Sequence, residues 1–458
     1  MNGRQEGGQA ARTYHLASGH TVEEVKARRD LDWSRQPAVF KGYPAAPLLE
    51  LPPPEREPTG QGMLDLAGLG RLLYFSAGLT RAKVYPGGCQ YLRAAPSAGA
   101  LYPIEVYAGC GTGAVTGLGT GLYHYAPASN GLGRIGDGDS LERLLAAAGR
   151  AGAAGLVIAL SAVFHRSAWK YLERAYRYVL LDAGHIWGNL AEAARREDLT
   201  LTPWGDFADA EANAGLGLDG KEEAVLLLAG VGAKREPQFR FQPAKAPVGC
   251  SGGLIQFIHE ASSLVRGDGE GEGEPVGLPP LADAAIMNYP FMATVRRRSS
   301  ARAFTGEGIP EDDLGLCLRV ARPTVPLSLY TVVNRVEGVT PGLYRVSAQG
   351  LTLLRPGDHR NNLGSLCLWQ DLVTKAAAIL VYTSRFPSDR SYRYAHLQAG
   401  YLSEQVYLAA TAAGVGVSGI GAFFDAELGE ILGVEEDEWP IYVTVVGKPK
   451  QPPTRQIG

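Results

Sequence analysis

Pro96-Ser97-Ala98-Gly99-Ala100 stands between Arg93 and a β-like run from Ile104 to Tyr107. Small residues let a planar molecule approach the backbone closely, and a serine after a proline can offer a hydroxyl and free N–H groups at a turn. Such a loop suits a flat cofactor; a solvated turn entering a strand uses the same residue types. A second stretch, Arg296-Arg297-Arg298-Ser299-Ser300-Ala301-Arg302-Ala303-Phe304, is rich in cations. Alternate side chains of an extended backbone share a face, so Arg298, Ser300 and Arg302 would present two guanidinium forks and a hydroxyl together. That trio fits a phosphate and the oxygen-rich edge of a ring. Solvated faces and nucleic-acid patches are the other uses of such clusters.

The elements that must position these residues follow from periodicity. Leu64 to Leu79 carries Leu and Ala at helical spacing, and strand-like runs follow at 104–108, 121–125, 156–160 and 225–228. A long helix is predicted from Trp169 to Arg196, because Val179, Ala183, Ile186, Trp187, Leu190 and Ala194 make one apolar stripe. Residues 1–60, with many prolines from residue 37 onward, predict an extended arm. The alternating glycine and acid run Gly267–Glu274 predicts a flexible linker.

The pattern then repeats. Tyr176-Arg177-Tyr178 through Asp182 and Gly184 is answered by Tyr392-Arg393-Tyr394 through Gln398 and Gly400, an offset of 216 residues (392 − 176). The same offset pairs Phe207 with Phe423 and Asp209 with Asp425, and Gly121-Leu-Tyr123 is echoed by Gly342-Leu-Tyr344. A period this long means tandem domains, since solenoid repeats span about 20–50 residues. The reading is an arm at 1–60, a first domain at 61–245, a linker at 246–283 and a second domain at 284–458. The second long helix has its own stripe, Ala395, Ala399, Leu402, Val406, Ala409 and Ala413. Two such helices packed together make a dimer within one chain.

Composition narrows the function. With 45% hydrophobic and 20% charged residues the chain reads as soluble and globular, and a net charge of −3 gives no general attraction to nucleic acid or anionic membrane. No apolar stretch suits a bilayer span, and Met1–Gln9 has no apolar core for a secretion signal, so a cytoplasmic location is expected. Five scattered cysteines without a CxxC pair read as reduced thiols, and eight histidines without HxxxH spacing argue against a metal site. The expected partner is a small molecule or a peptide.

Taken together, Arg-x-Ser-x-Arg-x-Phe at 298–304, Pro96-Ser97-Ala98-Gly99, Gly419-Ile420-Gly421 followed by Phe423, and Gly447-Lys448-Pro-Lys450 resemble the FMN-binding elements of the nitroreductase superfamily. Within it the first half resembles the SagB/ThcOx-type dehydrogenases, which oxidise thiazoline and oxazoline rings in ribosomally made peptides. The likeness spans nearly the whole chain, from Tyr14-His15 and Asp32-Trp33 to Gly121-Leu-Tyr-His-Tyr125 and Lys170-Tyr171. It implies an α+β fold of two tandem α/β sandwich domains forming an intramolecular pseudo-dimer, so that a single chain suffices as a monomer.

By the same resemblance FMN would lie between the halves. Half two would supply Arg298, Ser300, Arg302, Gly419, Ile420, Gly421, Lys448 and Lys450; half one would supply Pro96, Ser97, Ala98 and Gly99. The mirror site lacks both parts, half two having Thr324-Val-Pro-Leu327 where the Pro-Ser loop would stand, so one FMN per chain is expected. Lys170 and Tyr171 match the Lys-Tyr pair associated with catalysis in azoline oxidases. Alternatives left open are an NAD(P)H-dependent nitroreductase or quinone reductase, and a flavin-binding scaffold among biosynthetic partner enzymes.

Overall fold

A computed structural model describes residues 8–450 apart from 28–29, 56–63, 86–87, 154, 233–237, 239, 245–252, 268–288 and 324–325. Cys250, Thr324-Val325 and all but the first residue of the glycine–acid run therefore lie outside the described residues. The first half forms one antiparallel sheet from β1 (Leu48–Glu50), β2 (Ile104–Cys110), β3 (Gly121–Ala126), β4 (Gly131–Gly136), β5 (Leu156–Val163), β6 (Leu201–Trp204) and β7 (Glu223–Val231). Their order across the sheet is β1-β4-β3-β2-β5-β7-β6. The second half builds β8 (Leu327–Val333), β9 (Gly342–Ser347), β10 (Gly350–Pro356), β11 (Ala378–Ser384), β12 (Gly416–Ile420) and β13 (Trp439–Gly447), ordered β10-β9-β8-β11-β13-β12. The topology is written twice, with β1 added at one edge of the first sheet. The fold is α+β, two tandem α/β units paired within one chain.

Why these residues form strands is plain at the centre of each sheet. Every position of β5, β7 and β11 is buried, which is what uninterrupted Val, Leu, Ile and Ala runs need when both faces are covered. The covering on the shared side is a pair of long helices, Ala175–Arg196 and Asp389–Ala413. They cross at Gly184 and Gly400, the glycines matched by the repeat. A Cβ on Gly184 would lie 2.2 Å from the Leu397 carbonyl oxygen, and one on Gly400 2.3 Å from that of Leu181. Backbone therefore meets backbone, and no side chain fits between.

Each end of this crossing is locked by charge. Arg174 and Arg177 of half one bind Asp425 of half two, Arg174 at 2.7 Å; Arg390 and Arg393 of half two bind Asp209 of half one, Arg390 at 2.9 Å. Two further helices complete the clamps. Gln9–Ala17 gives Arg177 the carbonyl of His15, and Ser18 just beyond its end gives that arginine its hydroxyl; Gly253–Ala261 and Ser262 do the same for Arg393 through His259 and the Ser262 hydroxyl. His15-Leu-Ala-Ser18 and His259-Glu-Ala-Ser262 are thus copies as well.

Three sequence expectations are corrected here. The stretch 1–60 begins with the helix Gln9–Ala17, which contains none of the prolines that make the later arm extended. The stretch 246–283, read as linker, contains the helix Gly253–Ala261 with His259 buried in the second clamp. The helix expected over 169–196 is broken: Phe164–Tyr171 ends, Leu172 takes φ 50° and ψ −135°, and a short 3-10 turn leads into Ala175–Arg196. Leu172 is neither Gly nor Pro, so composition carries no sign of the break.

Burial works against the Asp425 carboxylate, and Arg177 and Arg174 more than overcome it, holding its pKa well below the ordinary aspartate value. A carboxylate so depressed stabilises the fold at neutral pH and loses that contribution as pH drops below about 4. Asp425→Asn leaves two buried guanidiniums without a counter-charge, and urea unfolding at pH 7 is expected to show a loss of about 3–5 kcal/mol. The difference from wild type narrows in the same measurement repeated at acid pH.

Candidate functional site

A cavity of about 1380 Å³ opens between the halves. Pro96, Ser97, Ala98, Gly99 and Tyr171 from half one line it, with Arg298, Ser300, Arg302, Gly419, Ile420, Gly421 and Lys450 from half two. Lys170 stands beside it. Lys448 does not belong: it turns outward and pairs with the exposed Glu307. It sits one residue past the end of β13, whereas Lys450, two positions on and beyond Pro449, lines the cavity.

The loop at 96–102 is held from below. Asp182, on the first long helix, accepts from the Ser97 hydroxyl at 2.5 Å and from the Ala98 N–H at 3.2 Å, and the Tyr102 N–H donates to the Ser97 oxygen at 2.9 Å. The serine hydroxyl and the Ala98 N–H expected to be free are thus spent on Asp182. The backbone is forced: Gly99, Ala100 and Tyr102 have φ of 64°, 54° and 47°, a region unfavourable for the two non-glycine residues. Gly99 also permits close approach, because a Cβ there would lie 2.7 Å from the Tyr171 hydroxyl and 3.1 Å from Lys170 Nζ. The break at Leu172 ends the short helix just past this pair, with Lys170 and Tyr171 against the loop.

Opposite the loop, the helix Phe291–Arg297 ends and the chain runs on through the Arg-Ser segment, with Ser300 bridged to Val417 of β12. Arg298 is 4% exposed and donates to the carbonyls of Ala94 at 2.6 Å and Arg93 at 3.3 Å, while its Nη1 has no partner. Arg81 comes from a hairpin, Leu79–Tyr85 and Gly88–Arg93; it is 3% exposed and its Nε is likewise unpartnered. Burial and the neighbouring Arg298 pull the Arg81 pKa down to about 10. Neither arginine has a carboxylate within ion-pair reach among the described residues, so two buried positive charges face the cavity uncompensated. Ser300 is 3.0 Å from the Tyr407 hydroxyl, which also accepts the Gly419 N–H at 2.7 Å.

Burial, with Arg302 nearby, holds the Lys170 ammonium below the usual lysine range, and burial raises the Tyr171 phenol. The mirror position differs. Where half two has Gly419-Ile420-Gly421, half one has Pro203-Trp204-Gly205, with Trp204 2% exposed and the Arg150 guanidinium 4.5 Å from its ring. Trp204 packs into an apolar core of half one as Ile420 does into that of half two, and Pro203 stands without an N–H where Gly419 donates to Tyr407.

Arg81, Asp182, His185, Glu404, Tyr407 and Tyr442 escape the motif reading. One signal was available for Asp182: a carboxylate inside an apolar stripe, with Gln398 at the matching place in the repeat. Nothing local marks Arg81, whose role depends on a contact with the other half.

The sequence profile of the nitroreductase family matches residues 67–233 and again 295–448. The chain belongs to the nitroreductase family. Nitroreductase-type protein MJ1384 of Methanocaldococcus jannaschii is 31% identical over 172 residues, which is 36% of this chain and 86% of that protein. The microcin B17-processing protein McbC of Escherichia coli is 31% identical over 140 residues, 29% of this chain and 51% of McbC. The chain therefore spans about half of McbC. Among solved structures, a nitroreductase-type protein from Anabaena variabilis superimposes with a TM-score of 0.83 at 30% identity, over 97% of this chain and all of that one. Such full-length agreement means that this chain shares its architecture with the Anabaena protein.

Asp182 yields a test of the buried loop anchor. Burial raises its pKa to about 7, against the lowering effect of the bonds from Ser97 and Ala98. A carboxyl that binds its proton more tightly when folded stabilises most below the unfolded value near 4, and that stability is lost as pH rises toward about 7. Wild-type chain is therefore expected to lose stability relative to Asp182→Asn between about pH 4 and 7, by no more than about 4 kcal/mol at 1.36 kcal/mol per unit. Thermal melts across that range, on chain free of ligand, check it.

Proposed function

We propose that this nitroreductase-family chain is an FMN-dependent oxidoreductase with one flavin site, and that its substrate is a peptide-borne or small azoline ring, as in SagB/ThcOx-type dehydrogenases. The observation that carries the cofactor assignment is the pair of unpartnered guanidinium atoms. Burying Arg81 Nε and Arg298 Nη1 without an acceptor is costly, and a phosphate would satisfy both. The fit extends to the small-residue loop at 96–99, which leaves room for a flat ring, and to Arg302 and Lys450 at the rim. Pro203, which has a side chain and no N–H where Gly419 donates to Tyr407, supports a single site per chain.

Bound FMN would supply hydride acceptance at its ring. The protein's part is positional and protonic. Gly99 keeps the loop tight against Lys170 and Tyr171, and the lowered Lys170 pKa makes a neutral amine accessible to take the ring proton of an azoline. Tyr171, with its pKa raised by burial, stays a protonated phenol and can orient the substrate by donating a hydrogen bond. The likeness to McbC, a microcin-processing protein, supports peptide substrates and partner enzymes of a biosynthetic set. The likeness to MJ1384 supports a second reading, reduction of nitro or quinone compounds with NAD(P)H.

Flavin absorbance against polypeptide concentration is expected to give one FMN per chain; two, or none after reconstitution, overturns the single-site reading. Lys170→Ala should keep its flavin yet oxidise a thiazoline-bearing peptide about 10²–10⁴-fold more slowly. Unchanged turnover removes Lys170 from the chemistry. Rapid flavin bleaching by NADPH, with no oxidation of the thiazoline peptide, decides for the second reading.

A further inference from the structure

The approximate two-fold relating the halves makes each flank of the long-helix pair a control for the other. On the cavity flank stand Asp182 and His185 of the first helix with Glu404 and Tyr407 of the second; at the offset of 216 the opposite flank has Gln398, Tyr401, Gly188 and Ala191. Both carboxylates and the imidazole fall on one flank only. Packing does not demand them, since neutral residues fill the same place across the axis.

Their geometry is connected. His185, 2% exposed, places Nδ1 2.7 Å from Oε2 of the fully buried Glu404 and Nε2 2.9 Å from the Tyr442 hydroxyl. His185 and Tyr442 both line the cavity, whereas Glu404 reaches it only through them. Glu404 Oε1 has no hydrogen-bond partner, and His185 is its ion-pair partner among the described residues. A buried carboxylate with so little support is expensive, and it is best repaid when the neighbouring imidazole carries a proton. Tyr442 is raised by burial and so remains a neutral donor. Its hydroxyl occupies the space of a missing side chain, 2.0 Å from where a Gly419 Cβ would be. The glycine of the 419–421 motif thus keeps this hydroxyl at the cavity wall.

We infer that His185, charged against Glu404 and linked through Tyr442, is a second proton donor and acceptor beside Lys170, serving the ligand that exchanges electrons in the cavity in the other half of the reaction. The inference rests on the redox reading above. In the delivering direction the Tyr442 O–H bond breaks as a bond from that hydrogen to the ligand forms. The His185 Nε2–H bond breaks as a new Tyr442 O–H forms, and Glu404 stays ionised throughout. Solvent returns the proton to His185, and the reverse sequence removes one. Tyr407, edge-on to the imidazole at 5.5 Å, and Asp182, one turn back on its own helix, are the other titratable groups facing it. Arg298, 5.6 Å from the Tyr407 ring, is the cation on that side. Glu404 is a positioning residue, since it touches His185 and not the cavity.

Histidine-labelled holoenzyme tests this by NMR, with eight histidines to resolve and His185→Gln to assign the signal. In Glu404→Gln that signal is expected to titrate at least one pH unit lower than in wild type, a tenfold loss of proton affinity. In parallel, photoreduced enzyme is mixed with menadione, which takes up two electrons and two protons. The wild-type reoxidation rate should fall as pH rises through the His185 titration, and the fall should move down by the same interval in Glu404→Gln. It should vanish in His185→Gln. Tyr442→Phe should slow reoxidation at least tenfold while leaving flavin content and the histidine titration in place. An unmoved titration in Glu404→Gln, or a pH profile unchanged in His185→Gln, overturns the relay. Wild-type chain that holds no flavin overturns the redox reading instead, and the histidine titration still decides whether the pair is coupled.

Discussion

Direct backbone contact between the long helices at Gly184 and Gly400 is the constraint from which the remaining geometry follows. Carbonyl oxygens lie where side chains would otherwise stand, so the separation and angle of the halves admit little adjustment. That fixed separation sets Arg174 and Arg177 within reach of Asp425, and Arg390 and Arg393 within reach of Asp209. It also sets the 96–102 loop of one half opposite the Arg-Ser segment of the other. Neither half holds the cavity alone.

Charge is handled in two ways in this interior. The clamps are closed circuits, each with two guanidiniums, one carboxylate and the carbonyls of a helix end. Around the cavity the accounts are open: Arg81 and Arg298 are as buried as the clamp arginines and have only carbonyls for partners. Buried charge left unmatched is tolerated when a ligand completes it, and the strained loop at Ala100 and Tyr102 belongs to the same economy of pre-arranged groups. The contrast separates arginines whose charge the fold itself neutralises from arginines whose charge it leaves unmatched.

Much of this was legible as spacing. The repeat at 216 residues, the apolar stripes of both long helices and the central strand of each sheet can be read from residue type alone, because burial on a periodic surface imposes them. The loop at Pro96 and the segment at Arg298 could be singled out, since small residues and alternating cations have few other uses in combination. Arg81 could not, because it acquires its role from a residue far away in sequence, and Asp182 was marked only as a carboxylate inside an apolar stripe. The break at Leu172 was hidden for a different reason: tertiary contacts impose the left-handed backbone on a residue with no local preference for it. The helix pair at Gln9–Ala17 and Gly253–Ala261 was readable in His-x-Ala-Ser, but at an offset of 244 residues (259 − 15) rather than 216, which set it outside the main repeat.

The proline at position 203 has an implication for how such a chain can change. In an assembly of two identical subunits every substitution is entered twice, so a proline in place of the glycine that donates to Tyr407 would remove that N–H from both copies. Joining the copies into one polypeptide removes that coupling. Pro203 can stand in one copy while Gly419, its counterpart, keeps its hydrogen bond in the other. The two halves are then free to diverge position by position, as Asp182 and Gln398 also have.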